Sequence, residues 1–368
     1  MTDLLYSDVE ESLRGSVRST LQRVLDDGLA ARLYDEPDTD VSGIWRALAE
    51  QLGLAGLLVP ESLGGAGAGA REAAVVLEEL GRAVAPVPFL TSAVVATSAL
   101  LAAGDEAHLP ALASGERTAA LVLPWTASRG AWSPVDGVVA PVAGALDADL
   151  FLVPVTGEGG GTSLRALGRD EVDLEPITSL DMTRPLARVT VTGTGTEVAS
   201  GEAAVAAVDA ALAAGAALLA SEQLGLAQWC LETTVDYAKT RVQFARPIGS
   251  FQAIKHRLAD LYLLLVNTQA AARQAAGVLA DGAALRGSSA APQDTVEGEI
   301  ATATAQAFCS DAAVRAAEEA LQLHGGIGMT WEHSVHTRLK RAKSDQLALG
   351  TPDRHRADLA TLVDLPVA

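Results

Sequence analysis

The sequence predicts a mainly α protein with a β-domain in its middle, and three changes of texture carry that reading. Helical periodicity runs through roughly the first 115 residues, short Val/Leu/Thr runs split by Gly, Pro and Asp fill about 116 to 200, and helical periodicity resumes at 203. The expected organisation is a helical domain over 1–115, a small β-barrel or sandwich over 116–200 and a four-helix bundle over 201–368. A chain of 368 residues is long enough for two or three such domains sharing a core. No internal repeat is evident.

In the first region, helices are predicted over Ser7 to Leu33, Val41 to Leu52, Ala70 to Ala83 and Thr91 to Ala103, with Asp40 or Ser42 capping the second. The glycine-rich run Gly64 to Gly69 separates the second from the third, and Pro86 and Pro88 punctuate the exit of the third. Strands in the middle region include Ala119 to Leu123, Val135 to Pro141, Leu150 to Val155 and Ala187 to Val191; the last alternates Val189 and Val191 with Thr190 and Thr192. In the last region a polar linker, Leu285 to Asp294, divides two long helices. Their apolar stripes outnumber the faces one small bundle can bury, which predicts a dimer or tetramer interface. Alanine-rich Val205 to Ala220 would permit close helix approach there.

Bulk properties narrow the function classes. A net charge of −19 without a basic cluster opposes nucleic-acid binding. Cys230 and Cys309 both sit in apolar helical segments, reading as buried free thiols rather than a disulfide framework. No secretory signal is visible, the apolar stretch Ala203 to Ala220 is interrupted by Asp209 and reads as a packed helix rather than a membrane span, and cytoplasm is the default expectation.

The most informative segment is Arg241-Val-Gln-Phe244-Ala-Arg246-Pro247-Ile-Gly249-Ser250, followed by Phe251-Gln252 and a new helix. Pro247 and Gly249 break the preceding helix, and Ser250 is a plausible N-cap for the next. Ile254, Leu258, Leu261 and Leu265 then mark one buried stripe. Such a turn, basic on one side and carrying an amide on the other, suits an anion held at helix ends; an ordinary αα-hairpin is the other reading.

This string resembles the C-terminal signature of flavin-dependent acyl-CoA dehydrogenases. Gln322-Leu-His-Gly325-Gly326-Ile-Gly328 is similar to that family's Gln-x-x-Gly-Gly element. Val59 to Gly67 with Val76 to Phe89 resembles its N-terminal helical domain, and Ile177 to Val189 its middle β-domain. The matches span about residues 45 to 360 in the family's order. What the resemblance implies is the acyl-CoA dehydrogenase fold, FAD as cofactor, and α,β-desaturation of a CoA thioester. It assigns Arg241, Phe244, Gln252, Gln322, Gly325 and Gly326 to the flavin's pyrophosphate end, gripping a cofactor seated mainly in a neighbouring subunit.

The chemistry needs a carboxylate over the substrate Cα, its pKa poised by an apolar pocket. The two positions at which the family places this base fall on Leu349, just before Gly350-Thr351, and on Gly215, ten residues ahead of Gly225. Neither accepts a proton, so no catalytic residue is expected. Glu222 and Asp345 are the nearby carboxylates; Glu222 reads as structural, and Asp345 could serve only if its turn were rebuilt. The segments matching the family's ring-contact loops, Pro124 to Trp132 and Val142 to Leu146, lack the expected polar groups, and Trp125 and Trp132 read as packing residues. The pattern resembles the non-catalytic partner subunit of bacterial heteromeric (α2β2) acyl-CoA dehydrogenases such as those acting on steroid side-chain CoA thioesters, which implies a second subunit, an acyl-CoA substrate and an electron-transfer flavoprotein as partners. A self-sufficient dehydrogenase with an atypical base, and a flavin-free structural or binding homologue acting on a carrier-protein thioester, remain the alternatives.

Overall fold

The structure, a computed structural model, describes residues 4–26, 28–281 and 296–365. The linker expected at Leu285 to Asp294 lies outside the described residues.

The first expected helix is two. Helix α1 (Asp8–Val24) opens on a capping box, with the Ser7 amide donating to Glu10 Oε2 at 2.5 Å and the Glu10 amide to Ser7 Oγ at 3.4 Å. Leu25 then turns extended, and α2 (Leu29–Asp35) starts after Asp26 Oδ1 accepts from the Gly28 amide. Apolar periodicity misses this break because both helices bury their leucines in one core. Helix α3 (Ser42–Arg46) widens into a π-turn over Ala47–Gln51; its N-cap is Val41, with Asp40 Oδ1 accepting from the Ser42 amide. Helix α4 (Ala70–Ala83) matches its expected bounds. A π-helical stretch from Phe89, two residues earlier than expected, leads into α5 (Thr97–Ala103), and α6 (Leu109–Ala113) follows.

The middle region is two sheets packed on a shared core. One has the order β1 (Ala119–Leu121), β3 (Leu150–Thr156), β4 (Thr162–Gly168), β7 (Thr196–Ser200); the other β2 (Val138–Ala143), β6 (Leu186–Val191), β5 (Val172–Ile177). β1 runs parallel to β3, and the remaining pairs are antiparallel. Strand β2 starts three residues later than the expected Val135, beyond Gly137, whose φ of 74° a side chain would resist.

Helix α7 (Gly201–Thr240) is the axle of the molecule, packed against α4, α5, α8 (Gln252–Asp281) and α9 (Val296–His324). Helix α10 (Val335–Leu347) joins α7–α9 in the bundle, and α11 (Pro352–Leu362) lies on α9. Close approach of α4 and α7 depends on glycine: a Cβ on Gly225 would lie 1.9 Å from the Glu78 carbonyl oxygen, and one on Gly81 2.1 Å from that of Glu222. The alanine-rich run, expected at a subunit contact, instead spends its small side chains here, with Ala210 to Ala220 buried inside the chain. Helix α7 is long and apolar enough to cross a membrane, but 78% of its most apolar window is buried.

Helix α8 begins at Gln252, the Phe251 carbonyl accepting from Ile254 and Lys255, so Ser250 falls outside the cap position. Of its expected stripe Leu261 is buried, and Leu258 and Leu265 pack against the same cluster, whereas Tyr262, Leu263 and Val266 stay exposed. Cys230 and Cys309 are buried and free, and burial pushes the Cys230 thiol up to about 12.

Candidate functional site

At the C-terminal end of α7 the chain folds into a tight hairpin, β8 (Val242–Gln243) against β9 (Arg246–Pro247). Its two turn residues, Phe244 and Ala245, hold φ of 54° and 61°, a left-handed conformation that costs non-glycine residues about 1–2 kcal/mol each. The hairpin thrusts Phe244 into solvent at 87% exposure, with its ring edge-on to Phe251, and Arg246 lies over the Phe251 ring. Arg241 is exposed, and no ion pair or side-chain hydrogen bond engages it among the described residues. Gln252 is exposed on the first turn of α8.

The second motif lies beside the first. Helix α9 ends at His324, whose ring stacks on Tyr237 of α7, 4.5 Å between centroids, and meets His333 at 4.3 Å. Tyr237 is one turn before Arg241, and its carbonyl accepts from the Arg241 amide at 2.8 Å. Gln322, Gly325 and Gly326 are exposed, and Gly325 takes a φ of 64°. A Cβ on either glycine would meet nothing within 4 Å inside this chain. Among the described residues nothing crowds the glycine pair, which leaves open space over both Cα atoms.

Leu349 and Gly215, far apart in sequence, converge. A Cβ on Gly215 would lie 2.7 Å from Val95 Cγ2 and 2.9 Å from Leu349 Cδ1. Leu349 is 3% exposed; its amide donates to the Trp125 carbonyl at 2.8 Å and its carbonyl pairs with His355 Nε2 at 2.9 Å. Around it close Thr91, Val95, Pro124, Trp125, Ala143 and Leu212, leaving a cavity of about 20 Å³. That is room for about one water molecule. Both ring-contact segments are therefore packed against the empty base positions. Trp125 is buried beside this cavity with its Nε1 unpartnered, and Trp132 donates to Asp209 Oδ1 at 2.7 Å.

Glu222 and Asp345 meet in a sealed charge cluster that pattern reading did not assemble. Arg184, from the segment joining β5 to β6, reaches Glu222 at 2.7 Å and Asp345 Oδ1 at 2.5 Å. Arg341 pairs with Glu222 at 2.5 Å and with Asp181. Burial would raise the Glu222 carboxyl, but its two guanidinium partners outweigh that and hold it below the usual carboxylate range. Glu222 is thereby a structural anion.

Next to Leu349 lies a larger cavity of about 330 Å³, between α7, α9, α11 and the 128–130 loop. Asp209, Glu299 and Asp358 line it with Arg129, and Arg129 is paired to Glu299 at 2.9 Å. Three carboxylates against one guanidinium make this wall poorly suited to a phosphate.

Comparison with known proteins agrees with this architecture. Residues 7–116 match the model of the acyl-CoA dehydrogenase N-terminal domain and residues 205–363 that of the C-terminal domain. The chain is 41% identical over 325 residues to Acyl-CoA dehydrogenase IpdE2 of Mycobacterium tuberculosis, covering 87% of this chain and 85% of that protein. It superposes with a TM-score of 0.82 and 26% identity on a chain of the ChsE4-ChsE5 complex from Mycobacterium tuberculosis, covering 100% of both. A chain from a variant of the Tcur3481-Tcur3483 steroid ACAD gives 0.78 and 26%, covering 97% of this chain and 98% of that one. Matched at both ends by its domain models and along most of its length by a relative, this chain belongs to the acyl-CoA dehydrogenase family.

Proposed function

We propose that this chain is the partner-type subunit of a heteromeric acyl-CoA dehydrogenase: it grips the phosphate end of an FAD seated mainly in a second subunit and supplies no general base. One observation carries the reading. The two positions where the family holds its base are Leu349 and Gly215, which pack directly against each other, and the cavity beside Leu349 toward Trp125, about 20 Å³, admits neither an isoalloxazine nor a thioester. The neighbouring larger cavity has a mostly apolar wall that carries three carboxylates, Asp209, Glu299 and Asp358, against the one guanidinium of Arg129. The surroundings of Leu349 and Gly215 therefore supply no built seat for a flavin ring.

The exposed end does fit one part of it. Arg241 offers a guanidinium with no acidic partner among the described residues, and Gly325 and Gly326 leave open space over their Cα atoms. When bound, FAD supplies the hydride acceptor for the substrate β-hydrogen. This chain's own part is to anchor: Arg241 neutralises phosphate charge through charge-assisted hydrogen bonds, Gln252 and Gln322 offer amides, and Phe244 covers the cofactor against water. The relatives described as the ChsE4-ChsE5 complex and a steroid ACAD pair support a heteromer and a bulky steroid side-chain thioester. An electron-transfer flavoprotein as electron acceptor follows from the same reading. The apolar face Tyr262, Leu263 and Val266 supports burial against another chain, so a monodisperse monomer at micromolar concentration would count against assembly.

The test is the absorption spectrum of the chain expressed alone and together with a candidate second acyl-CoA dehydrogenase subunit. Flavin colour only on co-expression is the expected result. A yellow chain by itself supports a self-sufficient dehydrogenase, and colour in neither supports a flavin-free scaffold.

A further inference from the structure

The sealed cluster between the middle sheets and the bundle is unevenly paired. Among the described residues Asp181, Glu222 and Asp345 pair directly with Arg184 and Arg341, with Lys340 acting on Asp181 from farther off, and the three acids and two arginines are at most 9% exposed. Every carboxylate oxygen of Glu222 and Asp181 has a partner: Arg184 and Arg341 hold Glu222, and Arg341 with the Thr183 amide and hydroxyl hold Asp181. Asp345 differs. Its Oδ1 accepts from Arg184, whereas its Oδ2 is buried without a partner.

We propose that Asp345 is a resident proton-binding site: its carboxyl is protonated in the folded chain, and loss of that proton loosens the junction between the 179–185 segment and α10. Three carboxylates share two directly paired guanidiniums, Lys340 acts on Asp181, and Asp345 is left with one unpartnered oxygen; a sealed interior tolerates a neutral carboxyl far better than an ionised one without a donor. The proton falls to the acid with the fewest donors. Burial first, and the Glu222 charge second, push the Asp345 carboxyl up to about 8, against the pull of Arg184 and Arg341.

The charged groups facing it are Arg184 and Asp181 from the β5–β6 segment, Glu222 from α7, and Arg341 from α10 itself. Polar neighbours come from α7 and α9: Gln223 donates to Ser310 Oγ at 3.0 Å and to the Asp345 carbonyl at 3.4 Å. On deprotonation the proton goes to solvent, and Asp345 and Glu222 then compete as anions for Arg184. The junction matters because α10 leads directly into Leu349, and Arg184 lies 5.4 Å from the centre of the Trp125 ring.

The sign follows from the raised value. Below the unfolded aspartate pKa of about 3.9 both states are protonated and Asp345 has no effect. Between there and about 8 the folded chain must hold a proton that the unfolded chain releases, so stability falls steadily, and above about 8 the loss is constant. Asp345→Asn keeps the shape and removes the titration. Thermal unfolding of the full chain and of this variant between pH 5 and 9 should show the wild-type Tm falling relative to the variant up to about pH 8 and running parallel above it. Hydrogen exchange over 179–186, corrected for its intrinsic pH dependence, should rise above neutrality in the wild type and not in the variant. Parallel Tm profiles across the whole range would overturn the proposal. If the variant does not fold, carboxyl ¹³C NMR of aspartate-labelled wild type decides: one buried aspartate should remain protonated at pH 6.5, and full ionisation of every aspartate at that pH would overturn the proposal.

Discussion

Leu349→Glu places a carboxylate where the family holds its base, and the structure says what that does here. The new side chain replaces one that is 3% exposed, facing Val95, Leu212 and Trp125 in a space of about 20 Å³; on its other side lies the 330 Å³ cavity, whose Arg129 is already paired to Glu299. A carboxylate turned into the closed space has no cation within it, so burial makes the introduced carboxyl take up a proton and its folded pKa rises well above the unfolded value of about 4.3. Holding that proton at pH 7 costs about 3.7 kcal/mol, and with the lost leucine burial the total is about 4–5 kcal/mol. For a chain of 368 residues this lowers Tm by about 5 °C. The protonation part of the penalty vanishes below pH 4 and grows as pH rises while the burial part stays constant, so the Tm gap to wild type should widen from pH 4 to 7. Dehydrogenation of a CoA thioester by the isolated variant, followed with an artificial electron acceptor, should stay at background, because a base alone restores no ring contacts. A flat Tm gap would show that the site is open to water. Turnover of wild type or variant at about 1 per second or faster would refute the reasoning outright.

Arg241→Ala should leave the Tm of the chain unchanged, since its side chain is exposed, but weaken flavin retention in the assembled complex by about 1.5–3 kcal/mol, roughly 10- to 150-fold, read by equilibrium dialysis. Gly225→Ala, which in an ordinary helix gains up to about 1 kcal/mol, should instead destabilise by about 1–3 kcal/mol in thermal unfolding, because its Cβ would sit 1.9 Å from the Glu78 carbonyl oxygen. Arg341→Met removes a partner from both Asp181 and Glu222 and should cost about 3–5 kcal/mol at neutral pH. That loss should shrink on acidification as the stranded carboxylates protonate, and a pH-independent loss would point to packing alone.

Local chemistry made much of this protein legible before its structure. Pro247 and Gly249, the Gly325–Gly326 pair and the switch from 3.6-residue to two-residue periodicity near 116 each report on neighbours a few residues away, and the elements they imply are present. Counting to Leu349 and Gly215 needed the family resemblance and sequence register, and the expectation that Glu222 is structural came from its distance along the helix from Gly215. The break after Val24 escaped because both halves bury leucines in one core, which leaves periodicity intact. Exposure of the hairpin escaped as well, since burial of Phe244 or Arg241 depends on what the fold lays over them. The tertiary structure alone set Leu349 against Gly215, closed the space around them, and gathered Asp181, Arg184, Glu222, Arg341 and Asp345 into one cluster. Asp181 and Arg341 stand 160 residues apart, and whether a carboxylate there is a base, an ion-pair partner or a proton store depends on its distance to charges that the sequence does not make adjacent. Coulomb energy and desolvation depend on separation and burial in space, and those exist only once α7, α10 and the middle sheets have packed.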